Sequence, residues 1–295
     1  MRLLSKLSTL FCLPFILSAC SSGALILANG LASLDDYETH KNIAYGPLAE
    51  QHLDLYLPSS EKDKGAIKRP VILFLYGGCW GACLKHKKAD YAFIAQAFTS
   101  LGYAVVIPDY RHYPNVLFPS MMADVAMATN WINQNAKSYD IDTDQVILSG
   151  HSAGAHMAAL LTLDETYLPQ SAYRSIKGFI GFAGPYDFLP FTEDYQPTLF
   201  GPEQNYPKSQ PVNYVSGNEA PMLLLYGNSD RSVYPVNIES LTRVAQEAGS
   251  DIESHRYDGI SHSGIIAALS RPLRERKPVM ADIVQFLERV APITH

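Results

Sequence analysis

The sequence predicts an α/β fold, because short apolar runs alternate with stretches of helix-forming residues. The run 145–149 is rich in β-branched residues and is typical of a fully buried strand. Residues 153–163 are mostly Ala, Leu and Met, which suit a helix packed against a sheet. The same order recurs downstream, where the apolar run 221–227 precedes a helical pattern over 236–248. With 295 residues, 47% of them hydrophobic, the chain can form one domain with a large core.

The turn after the first of these strands has the pattern of a nucleophile elbow. Gly150-His151-Ser152-Ala153-Gly154 is G-x-S-x-G between a predicted strand and a predicted helix. The two glycines remove the Cβ atoms that would obstruct a sharp reversal. Ser152 would then project into a cleft, and the N-terminus of the helix would favour the negative charge of an acyl-transfer intermediate. On these five residues alone, an ordinary tight turn containing a serine is the alternative.

A serine nucleophile needs a base and an orienting acid, which in this arrangement follow it in the order acid, then histidine. Asp230 comes after the apolar run 221–227 and a glycine turn, so its carboxylate lies near a strand end. His262 lies among small residues in a predicted loop before a helix, so its ring can enter a cleft. We therefore predict Asp230 as the acid and His262 as the base.

Other residues compete for these two roles. His255 falls inside a predicted polar strand, and His151 and His156 neighbour the elbow, where adjacent side chains seldom face each other. Asp187 is the acid that would replace Asp230 if that assignment is wrong. For Asp230 itself, a turn or helix-capping role is the alternative.

A glycine loop follows an earlier strand. The apolar run 71–76 leads directly into Gly77 and Gly78. Successive glycines allow backbone N–H groups to turn toward a ligand, although a generic Gly-Gly turn has the same composition. The glycine loop, the elbow serine, the acid and the histidine occur in this order at predicted strand ends. Together they are stronger evidence for a serine-hydrolase site than any one of them alone.

These features resemble α/β-hydrolases of the esterase branch, which includes hormone-sensitive-lipase-like carboxylesterases and kynurenine-formamidase-like proteins. The resemblance runs from about Ile43 to Val290. Besides the glycine loop and the elbow, it is carried by Ala44-Tyr-Gly-Pro47, Leu53-Asp-Leu-Tyr-Leu-Pro58, Asp109-Tyr-Arg111 and Gly184-Pro-Tyr-Asp187. It implies an α/β-hydrolase fold, in which a mostly parallel central sheet has helices on both faces and a small irregular cap.

The resemblance also implies a role for each candidate residue. Ser152 is the nucleophile, His262 the general base and then the general acid, and Asp230 the orienting carboxylate. The oxyanion-hole donors are the N–H groups of Gly77 or Gly78 and of Ala153. No metal or organic cofactor is implied.

The implied activity is hydrolysis of a small-molecule carboxylic ester through an acyl-enzyme. An arylformamidase is the alternative enzyme, because the stretches 150–156 and 184–187 resemble that branch as well. A catalytically inactive hydrolase fold used as a binding module is the alternative from a different class, and the intact candidate residues argue against it.

One position departs from the family pattern. Members usually carry His-Gly-Gly-x-Trp at the oxyanion loop, and Tyr76 stands where that histidine is expected. Because the oxyanion donors are backbone groups, we expect the hole to be kept. The substitution leaves open the hydrogen bond by which the usual histidine holds that loop.

The N-terminus is typical of a bacterial export signal. Two basic residues, Arg2 and Lys6, precede the apolar stretch 7–17, which is too short and too interrupted to span a membrane. Leu17-Ser-Ala-Cys20 resembles a lipobox, in which cleavage leaves Cys20 as a lipid-modified N-terminus. Ser21 rather than aspartate follows, which by resemblance favours the outer membrane, facing the periplasm. An ordinary signal cleaved nearby is the alternative.

These observations divide the chain. We expect a signal peptide at 1–19, a tether at 20–40 and the hydrolase domain at 41–295. The tether is expected to contribute nothing to the site, although 24–34 is apolar enough to pack as a short helix. Removal of 1–19 takes away two basic residues and no acids, so the net charge falls from −6 to −8. Such an acidic surface argues against nucleic acid as a partner.

Two further stretches carry predictions. The stretch 188–219 is interrupted by five prolines, which predicts an irregular cap rather than a long helix. Within it, four residues are either pocket or plain core: Tyr195, Leu199, Phe200 and Tyr206. Beside the glycine loop, Cys79 and Cys83 lie four positions apart. In an exported protein they can form a disulfide if their Cα atoms approach within about 6 Å.

Overall fold

The computed structural model describes residues 13–59 and 68–293, with the side chains of 23–59, 68–135 and 138–293. The described part contains one sheet of eight strands. The strands are β1 Tyr37–Ala44, β2 His52–Pro58, β3 Arg69–Leu75, β4 Ala104–Pro108, β5 Ile141–His151, β6 Ile176–Phe182, β7 Met222–Gly227 and β8 Ile252–Tyr257. The α-helices are α1 Leu13–Ala32, α2 Ala92–Thr99, α3 Phe118–Asn135, α4 Ala153–Leu163, α5 Gln170–Arg174, α6 Gln196–Phe200, α7 Val236–Ala248, α8 His262–Ala267 and α9 Val279–Val290.

The strand order is β1-β2-β4-β3-β5-β6-β7-β8. The pairs β1–β2 and β2–β4 are antiparallel, and every pair from β4 to β8 is parallel. Parallel strands need crossover connections, and helices supply them along most of the sheet. The predicted α/β fold with a mostly parallel sheet is therefore confirmed.

The central strands are buried because helices cover them. All seven residues of β3 are buried, as are residues 146–151 of β5. Such strands read as continuous apolar runs rather than as alternating patterns. The predicted strand 145–149 is the inner part of β5, and the predicted helices 153–163 and 236–248 are α4 and α7. The C-terminal ends of β3, β5, β6 and β7 thus come together at one edge of the sheet, where the candidate residues lie.

The first helix packs on the body of the protein. The side-chain amide of Asn29 donates to the carbonyl of Asp90 at 2.9 Å and accepts from the N–H of Phe93 at 3.0 Å. These two bonds tie α1 to the start of α2. The expected short helix at 24–34 thus largely coincides with the end of α1, and the expected boundary at residue 40 falls inside β1.

The predictions for the export signal concern residues that the structure leaves largely undescribed. Residues 1–12 lie outside the described range, and the Cys20 side chain lies outside the described side chains. The signal peptide and the lipid attachment therefore stay predictions. Among the described helices, none is long and apolar enough to cross a membrane.

The segment after β6 is irregular, as its prolines predict. It contains the short helix α6 and two 3-10 turns, Glu203–Ser209 and Pro211–Tyr214. Of the four residues left open as pocket or core, Leu199 and Phe200 are buried. The Tyr206 ring packs against Phe191, with 4.5 Å between the ring centroids.

Candidate active site

The elbow forms because two glycines let two segments of backbone approach closely. A Cβ atom on Gly154 would lie 2.0 Å from the carbonyl oxygen of Leu75, and one on Gly150 would lie 2.5 Å from the backbone of Gly154. Between them Ser152 has φ 56° and ψ −124°, a region that residues with side chains rarely occupy. Its N–H donates to the carbonyl of Phe182 on β6 at 2.9 Å. The strained backbone projects the Ser152 side chain from the end of β5 into a cavity.

The predicted acid and base meet beside this cavity. Nδ1 of His262 donates to Oδ2 of Asp230 at 2.7 Å. The other carboxylate oxygen accepts the N–H groups of Ser232 at 2.7 Å and Val233 at 3.0 Å. The Asp230 side chain is shielded from solvent. Burial alone would raise the pKa of Asp230, but the hydrogen bonds from His262, Val233 and Ser232 outweigh it and hold that pKa below its usual value.

The structure corrects the local setting of His262. It is the first residue of α8 rather than part of a loop before it, because the Ser261 hydroxyl caps the helix by accepting the N–H of Gly264 at 3.1 Å. The backbone carbonyl of His262 accepts a hydrogen bond from Nε2 of His151 at 2.9 Å. Burial, together with the neighbouring His262, lowers the pKa of His151 to about 3, so His151 is a neutral donor. The elbow therefore holds the segment that carries the base.

Two of the competing residues, Asp187 and His255, lie elsewhere. Oδ2 of Asp187 accepts from the Ser240 hydroxyl at 2.5 Å, which ties it to α7. His255 is on β8, within 4 Å of Glu253 and Asp282. Neither Asp187 nor His255 lines the cavity that Ser152 and His262 line.

The glycine loop brings backbone N–H groups to the same cavity. Gly78, with φ 120°, lines it together with Ala153 and Ser152, whereas Gly77 packs behind the elbow. A Cβ on Gly77 would lie 2.9 Å from the Ser152 Cβ, which explains the need for glycine there. Within the described part of the chain, the N–H groups of Gly78 and Ala153 donate to no protein acceptor. Both are therefore available to a ligand.

A disulfide and three hydrogen bonds to one backbone carbonyl shape the rest of this loop. Cys79 and Cys83 are bonded, with their Cα atoms 5.3 Å apart, as the sequence hypothesis required. The carbonyl of Gly78 accepts the N–H groups of three residues, Gly81, Cys83 and Leu84. The loop is thus closed on itself next to Ser152.

Tyr76 replaces the histidine usual at this position by making its own hydrogen bond. Its hydroxyl donates to Oδ1 of Asp109 at 3.1 Å, and its ring stacks on Tyr110 at 4.7 Å between centroids. Lys88 fixes Asp109 from the other side, with 2.9 Å from its Nζ to Oδ2. Burial raises the pKa of Tyr76 well above its ordinary value, so the hydroxyl remains a donor.

His156 is a structural residue that the sequence reasoning set aside. Its Nδ1 accepts from Trp80 Nε1 at 3.2 Å, and its Nε2 donates to the carbonyl of Ser209 at 2.6 Å. Burial lowers its pKa to about 4, which keeps the ring neutral and able to do both. His156 thus joins the glycine loop to the cap. The sequence signal for this role is the place of His156 in the family-like stretch 150–156, together with Trp80 after the two glycines.

The cavity has a volume of about 880 Å³, within the usual range for small-molecule sites. The cap contributes Phe188 and Tyr195 to its lining, so Tyr195 is a pocket residue. The first helix contributes Leu27 and Leu31 among others. The expectation that residues 20–40 contribute nothing to the site is therefore wrong, because α1 packs on α2 beside the cavity. Within the described residues, no group of three His, Cys, Asp or Glu side chains is placed to hold a metal ion.

Solved structures show the class of fold. Thermogutta terrifontis esterase 2, phosphoramylated by tabun, superposes with a TM-score of 0.72 at 21% identity, covering 88% of this chain and 96% of that one. A truncated form of a carbohydrate esterase from gut microbiota gives 0.71 at 20% identity, covering 86% and 97%. The architecture is the α/β-hydrolase fold.

Residues 53–243, more than half of the chain, match the BD-FAE family model. The chain belongs to the BD-FAE family. A probable isoprenylcysteine alpha-carbonyl methylesterase, ICMEL1 of Oryza sativa subsp. japonica, is 25% identical over 279 residues, 86% of this chain and 64% of the relative. The probable carboxylic ester hydrolase LipM of Mycobacterium tuberculosis is 26% identical over 236 residues, 72% of this chain and 54% of the relative. The chain spans less than two thirds of the length of these curated relatives.

Proposed function

We propose that the protein is a serine hydrolase that cleaves carboxylic esters through an acyl-enzyme on Ser152. The observation that carries this proposal is the 2.7 Å hydrogen bond from His262 to the shielded Asp230, at the cavity that Ser152 and His262 both line. Membership of the BD-FAE family supports it, as do the descriptions of the rice and mycobacterial relatives as ester hydrolases.

The first half of the reaction acylates the enzyme. Nε2 of His262 takes the proton of the Ser152 hydroxyl while the serine oxygen attacks the ester carbonyl. The oxyanion that forms accepts from the N–H groups of Gly78 and Ala153, and each such donor contributes roughly 3 kcal/mol in well-studied cases. Asp230 stabilises the imidazolium and keeps Nδ1 protonated. His262 then gives its proton to the departing alcohol.

The second half releases the acid. Water enters the cavity, His262 takes one of its protons, and the hydroxyl attacks the acyl carbonyl. Collapse of this second intermediate returns the proton to Ser152. All groups used in both halves belong to the chain.

A substrate panel with an active-site probe tests this proposal. p-Nitrophenyl esters, acetylated sugars and N-formylkynurenine are assayed side by side, and we expect hydrolysis of esters. A fluorophosphonate probe should label the wild type and not Ser152→Ala. The phosphoramylated state named for the Thermogutta esterase is an example of such a reaction with a phosphorus reagent. Equal labelling of both proteins, or of neither, would instead indicate a binding module.

The panel also decides between ester and formamide. The relatives reported above are described as ester hydrolases, which gives the arylformamidase alternative no support. Turnover of N-formylkynurenine that exceeds turnover of every ester would nevertheless establish it.

We also propose that Cys20 is lipid-modified and holds the protein at the outer membrane, facing the periplasm. The lipobox-like Leu17-Ser-Ala-Cys20 supports this. One acyl chain alone gives only marginal binding, so firm anchoring requires several chains on that residue. Detergent phase partitioning should place the wild type in the detergent phase and Cys20→Ser in the aqueous phase. Wild-type protein found wholly in the aqueous phase would contradict the anchor.

A further inference from the structure

We propose that α1 is the wall of the active-site cavity that binds an extended apolar chain of the ester substrate. This rests on the ester hydrolase function proposed above and adds a substrate class to it. The substrates would be esters with a long aliphatic acyl or alcohol group. The segment that the sequence suggests is a tether would then determine specificity.

The spacing of the lining residues carries the proposal. Five residues of α1 line the cavity: Ala24, Leu25, Leu27, Ala28 and Leu31. Four of them, all except Leu25, follow one another at i, i+3, i+4 and i+7. This is the spacing of one face of an α-helix. An entire apolar face of α1, rather than one stray side chain, therefore borders the space that Ser152 also borders.

The exposure of Leu27 shows that, among the described residues, little protein covers this position of the face. Its side chain is 63% exposed although it belongs to the cavity lining. Leu25 and Ala28 also line the cavity, but they are partly buried against the core and hold the helix in place. Because most of the Leu27 surface is in contact with water, binding of an apolar group that covers it is favourable.

The helix is fixed well enough to act as a wall. Asn29 bonds to the backbone of Asp90 and Phe93, and Asp35 after the helix forms an ion pair with Arg271 at 2.9 Å. The C-terminal part of the cavity-lining face is thus tied to neighbouring elements. A wall held in this way can discriminate between chains of different length.

The chemistry of the wall favours an aliphatic chain over a sugar or a peptide. Residues 23–32 contain no charged side chain, and their polar side chain, Asn29, is occupied by α2. The wall continues with Phe93 of α2 and with Ile266 and Leu273. A sugar or peptide needs side-chain donors and acceptors, whereas an aliphatic chain gains about fourfold in affinity for each methylene removed from water.

Two adjacent residues provide a matched pair for the test. Leu27 lines the cavity, whereas its neighbour Ile26, 73% exposed, does not. Leu27→Ala and Ile26→Ala are made in the full chain. The kcat/KM ratio of p-nitrophenyl octanoate to p-nitrophenyl acetate measures preference for an acyl chain. The ratio of octyl acetate to ethyl acetate measures preference for an alcohol chain.

We expect the wild type to prefer the longer chain in at least one series. In that series Leu27→Ala should lower the ratio at least about fourfold, the effect of roughly one methylene group, and Ile26→Ala should leave it unchanged. Equal ratios for the wild type and both variants in both series would overturn the role of α1 while ester hydrolysis itself stands. Absence of hydrolysis of all four esters would instead overturn the proposed function.

Discussion

The candidate catalytic centre and the cavity walls are built in different ways. Ser152 is placed by a strained turn between two glycines, and Asp230 and His262 by short hydrogen bonds at strand ends. The walls come from α1 and the cap, which are separated by more than 100 residues and are held by apolar packing together with a few hydrogen bonds. If the proposals above hold, the chemistry depends on a few atoms, whereas the substrate preference depends on extended apolar surfaces.

The largest effect should follow from removing the nucleophile or the base. Ser152→Ala and His262→Ala should each lower kcat about 10⁴- to 10⁶-fold, and the double variant should lose little more, because the two residues act as a unit. Steady-state kinetics on a p-nitrophenyl ester measures this. Independent losses that multiply in the double variant would show that the residues do not act together.

The next effect concerns the orienting acid. Asp230→Asn should fold but lower kcat about 10³- to 10⁴-fold, because the amide no longer holds His262 in the required tautomer. Asp187→Asn is the matched control, since Asp187 bonds to Ser240 on α7. If Asp187→Asn is inactive and Asp230→Asn is active, Asp187 rather than Asp230 is the orienting acid.

The contribution of His156, which connects the glycine loop to the cap, to the stability of the protein should depend on pH. His156 has a pKa of about 4 in the folded protein against 6.5 when unperturbed, so the unfolded chain binds more protons in between. Its contribution to stability is therefore complete above pH 6.5 and is lost as the pH falls toward 4. Between pH 7.5 and 5 the free energy of unfolding should fall by about 2 kcal/mol on this account, since one pKa unit corresponds to about 1.4 kcal/mol.

Urea unfolding of His156→Gln checks this dependence. The glutamine cannot titrate, so the fall in the free energy of unfolding between the two pH values should shrink by about 2 kcal/mol relative to the wild type. A variant with the same fall as the wild type would show that His156 is not buried in its neutral form.

The smallest effect is expected behind the glycine loop. Tyr76→Phe removes the hydroxyl bond to Asp109 and keeps the stacked ring, so the free energy of unfolding should fall by about 1 kcal/mol. The control is Tyr113→Phe, because the Tyr113 hydroxyl makes no hydrogen bond among the described residues. Equal unfolding midpoints for both variants would mean that the Asp109 bond does not stabilise the loop.

The same difference between centre and walls explains what the sequence could predict. The elbow depends on neighbouring glycines, and Asp230 and His262 follow recognisable strand ends, so local patterns suffice for them. His151 and His156 bond to backbone carbonyls 111 and 53 residues away, and no local pattern identifies these carbonyls as their partners. The sequence suggests only a tether for residues 20–40, because the partner helix α2 is distant in sequence and the cavity wall forms only after α1 and α2 have packed.

The central claim is that Ser152 carries the acyl group during turnover. The most direct measurement is peptide mapping by mass spectrometry of protein quenched in acid during hydrolysis of a p-nitrophenyl ester. We expect one acyl group, on the peptide that contains Ser152, and none on Ser152→Ala treated in the same way. An acyl group on a different residue, or hydrolysis at the wild-type rate by Ser152→Ala, would contradict it.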